Sequence, residues 1–460
     1  MENFEYKGLW WLPERPEKTV TGTLRYTSSE GILLELVGSF NEIKDVGKML
    51  SPEIILGISS DGKPITLYKC FEKSSARSYR GLLTSSFYAN LVFVGAHFQD
   101  AKDIKFKSMS VYYSYLDEWV GISGFEIKQL WEGKGVVIRY KLPEPIRADI
   151  SDKLGLEINF HAIGPNFPFF QINIEQKTEI KIITSEDTSF EDYRKLIFQI
   201  RNLLTLATMQ SVQVLNIRGT TKANQEMIDD EVYYPPTEIF YKQLYIPQEN
   251  QKLHRSEMLF SFRDISDKFE YFLKNWFENL GLFEPVYDLY FATLHNPHMY
   301  IGNKFLNLVQ AIETFHRYRY GGKYLSDEEY KLIYNTLINA IPKGAQKELK
   351  ERLEEYISYG NEFSLRKRMK KIIDIYQDLL NFFIEDRKSF IEKVVNTRNY
   401  LTHHSEDLKE RAVKGEDLYY LTQKLKICLE TCLLNEMGFS LKDIRHLFTE
   451  NLNYQAELIK

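Results

Sequence analysis

Up to about residue 183, short apolar or alternating runs recur between turn signals, a pattern that predicts β-strands. The runs cover 22–26, 32–37, 54–58, 65–70, 91–98, 111–115, 136–142, 156–161 and 169–183, and Asp61-Gly62 between two of them signals a tight turn. Several strands at this spacing predict a sandwich or an irregular barrel. The period then changes. Over 190–209, Leu196, Ile200, Leu203, Leu204 and Ala207 recur at helical spacing, and a strand follows at 212–217. Tyr233-Tyr234-Pro235-Pro236 turns into an extended piece at 239–246, and the polar stretch 247–257 reads as a surface loop.

From about residue 267 the pattern is almost entirely helical. It predicts helices at 267–280, 284–294, 301–320, 327–340, 344–359, 364–383, 386–401 and 416–436, with a short last one at 441–449. Ser326 before Asp327-Glu328-Glu329 is a capping-box signal, and Gly321-Gly322 stops the helix before it. The expected fold class is α+β. A β-rich domain over 1–265, with a helix near 190–209, precedes a helical domain over 266–460.

Composition narrows the chemistry. The chain has 460 residues, enough for two or three domains with substantial cores. A net charge of −5 excludes broad, non-specific binding of nucleic acid, so an RNA site has to be a local basic groove. Three cysteines, Cys70, Cys428 and Cys432, make no disulfide framework, and Cys428 and Cys432 lack further metal ligands nearby. No metal and no cofactor is expected, and no HExxH, phosphate-binding loop or nucleophile elbow is visible. The N-terminus lacks a hydrophobic signal core and no apolar run approaches a membrane span, so a reduced, cytoplasmic protein is expected. Trp10, Trp11, Trp119 and Trp131 are expected in the core.

Candidate chemistry concentrates in Val394-Val395-Asn396-Thr397-Arg398-Asn399-Tyr400-Leu401-Thr402-His403-His404. At about 100° per residue, Ile391, Val394, Val395, Leu401 and Thr402 share one face and Arg398 falls in its middle. An inward guanidinium is expensive unless paired. The histidines that follow are suited to moving protons near neutral pH. An Arg followed by a His, without metal ligands nearby, fits metal-independent RNA cleavage: Arg398 holds the phosphate and its developing charge, and His403 moves protons. The 2′-hydroxyl is then the available nucleophile, and a 2′,3′-cyclic phosphate the expected product. Arg398 and His403 diverge by about 140° on an ideal helix, so the helix has to end near Thr402 or a second copy has to complete the site.

Two further groups stand out. On the 301–320 helix, Glu313 and His316 continue an apolar stripe; Glu313 is a natural partner for Arg398, and His316 a donor to phosphate or to Glu313. The alternative is a structural network that pins helices together. The basic run Arg366-Lys367-Arg368-Met369-Lys370-Lys371 reads mostly as a solvated face. Arg366 and Arg368 remain candidates for the RNA backbone.

The motif Arg398–His403 resembles the Arg–any four to six–His motif of HEPN-domain ribonucleases, with Asn399 matching the polar residue after the Arg. Residues 303–317 (NKFLNLVQAIETFHR) and 361–368 (NEFSLRKR) look like helices of the Apea-like HEPN subfamily. The segments GLWWLPERP, GTLRYTSSEGILLELVGSF and ILGISSDGKPITLYKCF are similar to the N-terminal domain fused to that HEPN in ApeA proteins of anti-phage abortive infection. The resemblance implies a helical HEPN-like bundle behind the β-rich domain and a metal-independent endoribonuclease that arrests the infected cell. It implies paired domains, hence a homodimer or higher even oligomer bringing two Arg–His motifs into one cleft. Arg398 and His403 would be catalytic, with Asn399, His404, Glu313 and His316 supporting. The implied partners are RNA, with tRNA among the candidates, and a phage-derived trigger read by the N-terminal domain. The rival reading is a non-catalytic HEPN-like module that binds nucleotide or RNA, or only dimerises.

Overall fold

Most of the apolar runs of the first half form one antiparallel sheet that closes on itself at one end. The structure, a computed structural model, describes residues 1–41, 49–77, 83–130, 135–166, 170, 172–243, 252–404 and 406–458. Trp131, the first part of the predicted loop (247–251) and parts of the predicted strands, at 169, 171 and 244–246, lie outside the described residues. Contacts divide the chain into two compact units, Met1–Lys274 and Asn275–Lys460.

In the first unit, β1 (Phe4–Leu12), β2 (Arg15–Thr27), β3 (Gly31–Val37), β4 (Ile54–Ser59), β5 (Pro64–Arg77) and β6 (Leu83–Val94) pair in the order β6-β3-β2-β1-β4-β5. Pairing of β5 with β6, with Ile65 opposite Val94, closes a six-stranded barrel. Closure leaves no edge strand within the ring. The alternation read from the sequence sets what points inward: Val20, Leu24 and Tyr26 of β2 are buried while Thr21, Thr23 and Arg25 face out or sit at the rim. The barrel core packs Trp10, Leu24, Leu34, Ile55, Leu67 and Val92, each completely buried. Gly57 sits beneath Trp10, where any Cβ would overlap the indole ring.

Strand β6 also leads the sheet away from the barrel. The elements that follow are β7 (Lys105–Tyr113), α1 (Leu116–Val120), β8 (Phe125–Gln129), β9 (Val136–Tyr140), β10 (Ile146–Ser151), β11 (Leu154–Asn166), β12 (Asn173–Ser189), α2 (Phe190–Thr208), β13 (Val214–Thr220), β14 (Glu226–Ile228), β15 (Glu231–Tyr233), β16 (Thr237–Tyr241) and α3 (Phe262–Ile265). From β6 the order continues β16-β13-β7-β12-β11-β10, while β8–β9 and β14–β15 form separate two-stranded sheets. Helix α2 covers the extension: Tyr193 and Ile197 are buried, and the Tyr113 hydroxyl donates to the Ile197 carbonyl at 3.0 Å. On the sheet, Glu179 of β12 is buried among Ser110, His161 and Arg218, at 2.9, 2.9 and 3.1 Å. Burial pushes its carboxyl up, but these three partners outweigh burial and hold it below the usual range.

Helix α4 (Phe269–His295) spans the boundary between the units. The two helices expected here are one, kinked at Phe283 (φ −107, ψ 15), where Pro285 removes a donor and crowds the preceding turn. The second unit continues with α5 (Ile301–Tyr320), α6 (Asp327–Ala340), α7 (Lys347–Ser358), α8 (Leu365–Ile375), α9 (Gln377–Leu380), α10 (Arg387–His403), α11 (Glu406–Lys409), α12 (Gly415–Met437), α13 (Leu441–Glu450) and α14 (Leu452–Leu458). The helix expected at 364–383 is broken at Tyr376 (φ −105, ψ 24) into α8 and α9. Helix α12 is the centre of the bundle. Ile427, Cys428, Leu429, Cys432, Leu433 and Leu434 are completely buried, so its second half is enclosed on nearly every side, and the Glu430 carboxylate buried among them accepts from the Tyr290 and Tyr454 hydroxyls. Burial pushes the Cys428 thiol up to about 12. By contrast, no side chain of α6 or α7 is buried. No described helix is long and apolar enough to cross a membrane.

Candidate active site

Helix α10 carries the Arg–His motif. Asp386 caps its start, accepting the Ser389 backbone N–H at 2.9 Å. Phe390, Ile391, Val394 and Thr397 are its buried residues. That face is rotated by about 50° from the one expected, because Thr397 rather than Val395 faces the core. Arg398 therefore stands on the flank, half-buried, and not in the middle of the apolar face. The Thr397 hydroxyl explains the rotation: it accepts the Val413 backbone N–H at 3.0 Å, which fixes the segment before α12 to this helix.

Arg398 donates from Nη1 to the Asn399 side-chain oxygen at 3.0 Å. Among the described residues it makes no ion pair. Its charge is therefore directed by a neutral neighbour and left uncompensated. The helix runs unbroken to His403 and ends at His404, whose φ of 49° is left-handed and whose N–H bonds the Tyr400 carbonyl at 2.7 Å. His403 and His404 are both exposed, and the His404 ring meets the Tyr400 ring edge-on at 5.6 Å. With no break before His403, the motif's two side chains leave one helix about 140° apart and about 7 Å apart along the axis.

The structure separates Glu313 from Arg398. The first turn of α5 meets the end of α10, with a Cβ at Gly302 3.8 Å from Leu401, whereas Glu313 lies eleven residues on, about 16 Å along the axis. Its ionic partner is Arg317, one turn away at 3.9 Å. The expected Glu313–Arg398 pair is replaced by a different one.

Arg368 is not on the surface. It is completely buried and all its groups are occupied: Nε donates to the Phe363 carbonyl (3.1 Å), Nη1 to the Gly321 carbonyl (2.8 Å) and Nη2 to Glu362 (2.8 Å), while Nη1 also lies 3.2 Å from His316 Nδ1. This corrects its reading as an RNA contact; it ties α5 to α8. Gly322, at φ +144, has to be glycine both for that backbone and because a Cβ would collide with the guanidinium. Asn361 closes the same junction, exchanging two 2.9 Å hydrogen bonds with the Leu325 backbone. Together they clamp the base of the α6–α7 hairpin. Arg366 is exposed, as an RNA contact needs.

His316 is completely buried in this network, and its Nε2 has no hydrogen-bond partner among the described residues. Burial, and then the charges of Arg368 and Lys371, push its pKa down to about 4. It belongs to the structural network and does not reach phosphate. The folded state holds His316 neutral while the unfolded chain protonates near pH 6.5. Its contribution to stability is thus complete above about 6.5 and declines as the pH falls through 4, by about 3 kcal/mol. Hydrogen exchange of α5 amides at pH 7.5 and 4.5 measures this loss. His316→Gln should lack that component; an unchanged pH dependence in the variant refutes the assignment.

The residue patterns gave no signal for a cleft of about 1070 Å³ beside α10, bounded by the 382–393 and 410–424 segments and by Phe448, Thr449, Tyr454 and Gln455. Its residues come from four separate stretches, which only packing assembles. Among the described residues no group of three His, Cys, Asp or Glu is placed to hold a metal ion.

A family model described as ApeA N-terminal domain 1 matches residues 5–276, and one described as Apea-like HEPN matches residues 306–443, which hold α10 and its motif. No curated protein and no solved structure matches the chain. The first match alone covers more than half of the chain, and the second follows it in order. The chain belongs to the ApeA family, whose N-terminal domain here precedes an Apea-like HEPN domain of the nuclease type found in phage defence.

Proposed function

We propose that the protein is a metal-independent endoribonuclease of bacterial anti-phage defence, with Arg398 and His403 as its catalytic residues. The observation that carries this reading is the state of Arg398: a half-buried guanidinium with no carboxylate partner among the described residues, oriented by Asn399, on the helix that ends in exposed His403. A guanidinium left unpaired in this way keeps its donors for a phosphate. In the reaction, Arg398 stabilises the charge that grows on the non-bridging oxygens. His403 takes the 2′-hydroxyl proton or donates one to the leaving 5′-oxygen. The 2′-oxygen attacks the phosphorus, the P–O5′ bond breaks, and the products are a 2′,3′-cyclic phosphate and a 5′-hydroxyl. Because the two side chains diverge on α10, the working site is composite, formed by two copies in a homodimer or a higher even oligomer. The N-terminal unit acts as the sensor or brake, released by a phage-derived trigger.

A denaturing gel of total RNA after brief induced expression tests the reading. Discrete fragments ending in cyclic phosphate are expected, and cleavage by the purified protein persists in EDTA. Intact RNA under triggering infection, or an activity that vanishes on chelation and returns with Mg²⁺ or Mn²⁺, would overturn it.

A further inference from the structure

The cleft beside α10 has a lining that the Arg–His chemistry does not use. Its wall is apolar and aromatic: Phe390, Phe448 and Tyr454 are buried, Tyr420 is half-buried and Phe382 is 56% exposed at the rim. Four cations surround it, Lys393, Arg411, Lys414 and Lys424. Among the described residues none of the four is in an ion pair. Acidic side chains are interleaved with them. Asp386 is occupied in capping α10, while Glu385, Glu410 and Asp417 are exposed and free of ion pairs among the described residues.

This mixture discriminates between ligands. A groove for a long polyanion would exclude carboxylates, and a purely apolar slot would exclude both charges. Aromatic faces, separated cations and free carboxylates match a nucleotide. The half-buried Tyr420 ring stacks on the base, the buried rings form the floor, the cations take phosphate, and the carboxylates accept from exocyclic amino groups. A cleft of about 1070 Å³ is at the upper end for small-ligand sites and takes one or two nucleotides.

The cleft is also joined to the motif. Val413 on its wall is bonded to Thr397, the residue before Arg398, and Lys414 lies 5.6 Å from the centre of the Tyr400 ring, two residues after it. We propose that this cleft is a nucleotide-binding subsite, occupied by one or two nucleotides of the RNA strand flanking the cut. The placement of RNA there rests on the nuclease reading; the nucleotide chemistry of the cleft does not.

Binding is measured in full-length Arg398→Ala protein, which separates it from cleavage. The probe is a fluorescein-labelled single-stranded heptanucleotide RNA, followed by anisotropy from 50 to 300 mM salt. Adding Lys393→Ala with Lys424→Ala should weaken binding by about tenfold or more and flatten the log–log salt slope by about 1.4, the share of two phosphate contacts on a single strand. Tyr420→Leu should weaken binding without changing the slope, because stacking releases no counterions. Unlabelled AMP or CMP that displaces the probe at submillimolar concentration identifies a free nucleotide as the occupant, whereas displacement only by oligonucleotide identifies the strand. If the parent binds neither RNA nor mononucleotide, or if the double variant keeps the parent's affinity and slope, the proposal is wrong and the cleft serves another class of partner, such as a polypeptide. Cleft-dependent binding in a protein that never cuts RNA would preserve this inference and remove the nuclease reading.

Discussion

Replacing Arg398 or His403 with Ala is expected to lower RNA cleavage by about 10² to 10⁴-fold, the usual cost of one charge stabiliser or one proton-transfer group. Stability should hardly change. Arg398 is half-buried without an ion pair among the described residues and His403 is exposed, so neither removal strands a buried partner. Loss of cleavage with an unaltered unfolding transition therefore separates chemistry from folding. Cleavage at the wild-type rate in both variants would refute the catalytic assignment. The divergence of the two side chains adds a requirement: the active species is at least a dimer in solution. A strictly monomeric protein by light scattering that still cleaves at nanomolar concentration would sink the composite site.

Arg368→Ala is expected to do the reverse, acting on the fold and not on the chemistry. It removes a completely buried guanidinium, takes a donor from the Gly321 and Phe363 carbonyls and from His316 Nδ1, and leaves Glu362 only its longer pair with Arg317 at 3.9 Å. Each buried acceptor left without a donor costs about 1–3 kcal/mol, and three are left at once. Lys should not rescue it, since an ammonium cannot reproduce the planar fork that meets three elements at once. Hydrogen exchange of amides in α5 and α8 is the measurement, with acceleration of about 10²-fold or more expected. Protection unchanged in the variant would show that the junction is held by Asn361 alone.

The contrast between these two arginines shows what the sequence reveals. Arg398 and Arg368 both sit in helices among apolar residues, and periodicity placed the first inside and left the second on a solvated basic face. Packing reversed them. Periodicity runs the apolar stripe of α10 through Val395 and Leu401, but Thr397 turns inward to receive the Val413 N–H, a contact 16 residues away that no periodicity reports. In α8, the buried stripe of Leu365, Met369, Ile372 and Ile373 takes Arg368 with it because Gly321 and Glu362 supply its partners. Likewise, periodicity puts Glu313 and His316 on one inward stripe, but only His316 is buried, and their partners are Arg317 and Arg368.

The first strand lies outside the predicted runs although Phe4-Glu5-Tyr6-Lys7 alternates as a half-buried strand does, and its pairing with β2 and β4 establishes it. Barrel closure was silent: the runs predicted strands in a sandwich or a barrel, and the β5–β6 pairing decided for the barrel, with β6 also extending the sheet.

By itself the sequence determined the class of each half, the span of α5 and α6, the cap at Ser326 and the position of the Arg–His motif at a helix end. These depend on local period, caps and turns, which neighbouring residues encode completely. Only the tertiary structure decided which charged side chains are buried, which partners they meet and where a cleft opens. Those outcomes depend on which faces of distant helices come together. A rotation of about 50° on one helix is enough to exchange a core position for an open one.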